Sequence, residues 1–186
     1  MNECCCPSCQ KLMREKGLNP AKKEDRQEFA RWTYYDMVED LTAFAKKYNV
    51  ILLHDNAYSD IIFGGKEGKS FLSYPGAMEV GIEFYSLSKS YNMTGMRISF
   101  ALGNKDVIQM FRKVRSQIDY GIFLPIQKAA VAALTGPQDN VKEQCRIYEE
   151  RNYALCRGMS SIGWKIPDGQ GTMFVWAPIP ENYTSS

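Results

Sequence analysis

Three short apolar runs, at residues 50–53, 80–85 and 98–102, constrain this chain more than any other feature. None keeps a strict apolar and polar alternation, which is how strands covered on both faces read. The first follows a helical pattern. Tyr34, Met37, Val38, Leu41, Phe44, Ala45 and Tyr48 recur at spacings of three and four, with Lys46 and Lys47 near the end where the helix dipole favours cations. Asn49 closes that helix. Beyond the third run the pattern is helical again, at about residues 105–118, 125–134 and 139–161. Pro125 suits a first helical turn, and the last helix carries Val141, Cys145, Tyr148, Tyr153, Leu155, Met159 and Ile162 as its apolar stripe. Helices interleaved with such strands specify an α/β layered fold. Residues 164–166 and 172–177 read as the start of a second, small sheet. Residues 1–30 show no sustained period and break at Gly17 and Asn19-Pro20, so they read as a weakly specified leader.

The totals narrow the function classes. A chain of 186 residues holds one good core and part of a second lobe. Its formal net charge of +2 is spread along the sequence and makes no electrostatic case for nucleic acid or an anionic membrane. No apolar run approaches the roughly 20 residues of a spanning helix, and the N-terminus has no secretory h-region. The expected compartment is the cytoplasm. Four of the six cysteines crowd the N-terminus, at Cys4, Cys5, Cys6 and Cys9. The pair Cys6 and Cys9 has the spacing of half a zinc site, but no second pair or histidine pair completes it, and no strand precedes it as a redox motif requires. These read as reduced thiols in a poorly ordered lead-in.

Chemistry concentrates where the apolar runs end, and open α/β sheets bind ligands at the carboxyl ends of their strands. Asp55 and Tyr58 follow the first run. Ser86, Ser88 and Lys89 follow the second, and Gly95, Met96 and Arg97 lead into the third. A lysine so placed can hold a phosphorylated aldehyde as an imine, and burial with nearby positive charge lowers a lysine pKa for that role. For a pyridine aldehyde, Asp55 would keep the ring nitrogen protonated and Tyr58 would donate to the phenolate oxygen. Ser86, Ser88 and the forked guanidinium of Arg97 suit a phosphate, with Gly95 letting the backbone approach. Each residue alone has an ordinary explanation: a strand-end cap, a loop aromatic, a surface ion pair. Their order at the strand ends is what argues for a site. His54 is structural on this reading, because its side chain must face away from Asp55.

The pattern S-x-S-K followed by G-M-R, with D-x-x-Y upstream, resembles the class I/II aminotransferases of pyridoxal-phosphate (PLP) fold type I. The likeness runs from about Tyr34 to the end of the sequence. The segments HDNAYSDIIF, GIEFYSLSKSYNMTGMRISFALGN, GIFLPIQKAAVAALTGPQD and GTMFVWAPIPENYT look most like the LL-diaminopimelate aminotransferase branch. The resemblance implies Lys89 as Schiff-base lysine and proton shuttle, Asp55 at the pyridine nitrogen and Tyr58 at the ring hydroxyl. It places Ser86, Ser88 and Arg97 at the phosphate. It further implies transamination of an amino acid with a 2-oxo acid such as 2-oxoglutarate, a place in lysine biosynthesis, and a homodimer. A PLP-dependent carbon–sulfur β-lyase shares the same lysine site and stands as the alternative, beside a catalytically inactive remnant.

The same resemblance carries departures. The family's N-P-T-G segment has no counterpart near Gln27-Glu28-Phe29-Ala30, and Asn19-Pro20 continues Ala-Lys. The first half of the large domain and the arginine that grips the substrate carboxylate have no counterpart either. The expectation is therefore a fragment: a leader at 1–30, the C-terminal half of a mainly parallel PLP-binding domain at 31–136, and an interdomain helix with the start of a small domain at 137–186.

Overall fold

The computed structural model describes residues 7–180 and Tyr183. The expectation for Cys4, Cys5 and Cys6 lies outside those residues. The expected α/β layering is present. Helix α1 (Pro7–Glu15) and the long α2 (Lys23–Tyr48) precede β1 (Leu52–Asp55), and α3 (Ala77–Val80) leads directly into β2 (Gly81–Ser86). A single helical turn, α4 (Leu87–Ser90), then connects to β3 (Ser99–Gly103). Helices α5 (Lys105–Arg115), α6 (Leu124–Thr135) and α7 (Asp139–Ser161) complete the regular structure.

Strand order is β1-β2-β3, with β1 parallel to β2 and β3 antiparallel to it. The reversal follows from the connection. Between β2 and β3 the chain makes only α4 and one 3-10 turn, Thr94–Met96, and supplies no crossover helix of the kind a parallel return needs. Arg97 takes the left-handed conformation at φ 52° where the chain turns into β3. At the other junction Asn49 does the same at φ 54°, and its N–H caps the Ala45 carbonyl. That ends α2 where the sequence places its end, although α2 begins at Lys23 rather than Tyr34.

Two apolar clusters hold the sheet. Val38 of α2 packs with Phe71, Tyr74 and Ala77, and Leu52 of β1 joins them. Leu87, Ile98 and Ala130 form the second, with Tyr85, Phe100 and Ile126 against them. On the other face Phe84 meets Phe111 of α5 edge to face, at 6.2 Å between ring centroids.

Three expectations are corrected. Strand β1 is not buried on both faces, because Leu53 is 68% exposed where no described element covers it. The part of the leader between Pro7 and Glu15 is helical. No strands form at 164–166 or 172–177. That segment instead runs along the loop after β1, where Ile62 bridges Gly171, Phe63 N–H donates to Gln170 O at 2.9 Å, and Thr172 N–H to Ile61 O at 2.7 Å. An extended segment needs a paired edge, and residues 61–63 offer the edge available to it.

Candidate active site

The antiparallel return of β3 decides where the chemistry gathers. Ser86 of β2 pairs with Ser99 of β3, so the approach to β3 lies at the carboxyl end of β2. Arg97 therefore stands at the same sheet edge as Ser86, Ser88 and Lys89. The edge also takes in the end of β1, since Asp55 pairs with Phe84. By the two-residue period of the strand, Asp55, Phe84 and Ser86 share one face. His54 turns to the opposite face, as expected, where its Nδ1 donates to Glu83 Oε2 at 2.8 Å.

Locally, α4 forms because Ser86 caps it: its Oγ accepts from Ser88 N–H at 3.2 Å. Leu87, fully buried, points the turn into the second apolar cluster. Thr94 Oγ1 donates to Ser88 O at 2.9 Å and folds the following loop back onto the turn. Lys89 is left half-buried, with its Nζ 5.7 Å from the centre of the Tyr58 ring. Lys89 and Tyr58 are thus brought together by the fold, as are Ser86 and Ser88. Arg97 is exposed and donates from Nη1 to its own loop, at Thr94 O, 3.0 Å. Asp55 is exposed too, and no side-chain contact among the described residues ties it to Lys89, Tyr58 or Arg97.

Four residues enter the neighbourhood without having been picked out in the sequence: Asp60, Tyr85, Ser90 and Phe174. Asp60 accepts from Tyr85 and, at 2.6 Å, from the buried Ser90. Burial first, and the Asp60 carboxylate second, push the Tyr85 hydroxyl well above its ordinary pKa, so it remains a donor. Phe174 meets the Tyr58 ring edge to face at 5.5 Å, carried there by the pairing of Gly171 with Ile62. No sequence pattern announces these partners, because each contact joins segments far apart in the chain. Two clefts lie elsewhere. One of about 540 Å³ runs between α4 and α7, and one of about 450 Å³ lies between β3 and α6. Neither is lined by Asp55, Tyr58, Lys89 or Arg97. Among the described residues no cluster of metal-ligating side chains occurs, and no helix is long and apolar enough to cross a membrane.

The LL-diaminopimelate aminotransferase of Moorella thermoacetica is 47% identical over 148 residues, covering 80% of this chain and 38% of that protein. The glutamate-pyruvate aminotransferase AlaC of Escherichia coli is 42% identical over 150 residues, 81% of this chain and 36% of that protein. The solved apo structure of BacF from Bacillus subtilis matches with a TM-score of 0.74 at 38% identity, over 81% of this chain and 38% of that one. The chain spans less than half the length of the curated relatives it matches. A family model, aminotransferase class I and II, matches residues 35–185. That stretch takes in all three strands and the whole lysine edge, and it makes this chain a member of the class I and II aminotransferases, a family of pyridoxal-phosphate enzymes.

Proposed function

We propose that the lysine edge is the cofactor-anchoring part of an aminotransferase site, with Lys89 as the residue that carries pyridoxal phosphate covalently. The observation that carries the reading is the meeting of Lys89 and Tyr58, 5.7 Å from amine to ring centre, at the sheet edge that also bears Ser86, Ser88 and Arg97. The donor set suits the group. An amine and a phenol lie side by side, and two hydroxyls and a guanidinium stand at the same edge for a phosphate. When bound, the cofactor supplies the electron sink for the bond broken at the substrate's α-carbon. The protein's share is placement and proton handling. Ser86, Ser88 and Arg97 would hold the phosphate, and Arg97 would exchange its contact with Thr94 O for it. Tyr58 would donate its hydroxyl proton toward the ring oxygen, and Asp55 would face the ring nitrogen as a carboxylate. Lys89 Nζ, once free, is the base placed to take and return the α-proton.

The substrates on this reading are an amino acid and a 2-oxo acid, with LL-diaminopimelate and 2-oxoglutarate as the pair and lysine biosynthesis as the setting. Support comes from the Moorella relative, although AlaC, named for glutamate and pyruvate, is similar at 42%. The working unit would be a homodimer in the cytoplasm. The test is direct. Purified chain is mixed with pyridoxal phosphate, reduced with borohydride and mapped by mass spectrometry. The adduct is expected on Lys89 and is expected to vanish in Lys89→Ala; an adduct confined to other lysines sinks the assignment. Conversion of an added 2-oxo acid into its amino acid, against release of ammonia and thiol without such an acceptor, separates transamination from β-elimination.

A further inference from the structure

The turn that presents Lys89 is only four residues long, and a helix of that length has no stability of its own. Its direction must be fixed from outside. From the residue before Ser86 to the residue after Lys89, one group touches both flanks. The Tyr85 hydroxyl and the Ser90 hydroxyl both donate to Oδ2 of Asp60, the latter at 2.6 Å. Ser90 is 2% exposed, so its hydroxyl has no route to water in place of that carboxylate. Asp60 in turn lies two residues beyond Tyr58, whose ring meets Lys89 Nζ. One carboxylate thus joins the loop that bears the phenol to the turn that bears the amine.

We propose that Asp60 is a positioning residue for Lys89: its carboxylate clasps Tyr85 and Ser90 and so fixes the lysine turn against the Tyr58 loop. The role rests on Lys89 being the cofactor anchor. Its chemistry is that of a pre-organised acceptor, not of a group that touches cofactor or substrate. Loss of the acceptor frees α4 to rotate about Leu87, and a displacement of about 1 Å at a reacting amine costs up to about 100-fold in rate.

The test measures the rate of pyridoxal-phosphate labelling at Lys89 by borohydride trapping, with Lys66 and Lys69 as exposed internal references. In the parent chain Lys89 is expected to label faster than the references. Asp60→Ala is expected to slow Lys89 by about 10-fold while the references stay unchanged. Asp60→Asn, which retains an acceptor oxygen, should recover most of the loss, a rescue that general loosening of the fold would not give. Ser90→Ala removes one of the two donors and should produce a smaller decrease. Unchanged Lys89 labelling in a folded Asp60→Ala chain overturns the proposal, as does failure of Asn to rescue. Should Asp60→Ala not fold, parental labelling in Ser90→Ala overturns it. A parent chain in which Lys89 labels no faster than the references instead overturns the anchor reading, and the positioning role falls with it.

Discussion

Glu83 sits in the middle of β2 at 4% exposure, where a bare carboxylate would be prohibitive. Burial works to raise its pKa, but hydrogen bonds from His54, Asn56, Ser70 and the Phe71 N–H together outweigh it, and the carboxyl is held below its ordinary 4.5. The unfolded chain therefore takes up this proton more readily than the folded one. The stabilisation is complete above about pH 4.5 and drains away as pH falls through the lowered folded value. Urea midpoints measured from pH 7 to pH 3 should show that acid limb, and Glu83→Gln should flatten it. A limb of equal steepness in the variant contradicts this account. Glu83→Ala should cost about 3 kcal/mol, because the Phe71 N–H is left buried without its acceptor. The sequence holds a signal for this pair: one charge inside an apolar run, and the chain's only histidine on the neighbouring one. That Lys89, Tyr58 and Ser86 gather at one end of the sheet was legible for a similar reason, since all three follow apolar runs. Asp60 was not, because what it does depends on Tyr85 and Ser90, which periodicity does not bring near it.

At the scale of elements, α7 has the predicted limits and part of the predicted face, for Val141, Cys145, Tyr148, Tyr153 and Met159 are half-buried. Leu155 and Ile162, expected in its apolar stripe, are exposed, whereas Asn152 and Cys156 are buried. Asn152 is what the helix offers to the segment after it. Its Oδ1 accepts from Gly169 N–H at 2.9 Å and lies 3.7 Å from Cys156 Sγ. A Cβ on Gly169 would come within 2.6 Å of the Asn152 amide, so the two are fitted to each other. Apolar counting cannot find such a contact, because it assigns the buried face by hydrophobicity and Asn152 is polar. The strands at 164–166 and 172–177 failed for a related reason: strand propensity was present, but the partner edge was at 61–63. Asn152→Ala should leave the Gly169 N–H unpaired and lower stability by about 2 kcal/mol in chemical denaturation. It should also loosen Phe174 from Tyr58, read as faster proteolysis between Gly169 and Phe174. An unchanged midpoint would show that Gly169 finds water instead.

At the scale of the whole molecule, the apolar pattern of α2 and its burial disagree in an informative way. Of the residues recurring at helical spacing, Val38 and Ala45 are buried while Met37, Leu41, Phe44 and Tyr48 are 42–56% exposed. The helix expected from the sequence is present, but most of the face expected to be buried is not, because the first cluster takes only Val38 from α2. Leu53 on β1 is bare as well. Phe44 and Tyr48 already stack on each other, at 4.6 Å between centroids, which shields them only in part. Exposed apolar side chains along α2, at Met37, Leu41, Phe44 and Tyr48, favour association of the isolated chain in water. Light scattering should therefore show a mass that rises with concentration, and Phe44→Glu combined with Leu41→Lys should lower it without changing the far-ultraviolet circular dichroism. A mass fixed at twice that of the chain, indifferent to both substitutions, would instead place the defined dimer contact elsewhere. A monomer at every concentration would mean that the α2 face tolerates water, and the association argument would be wrong.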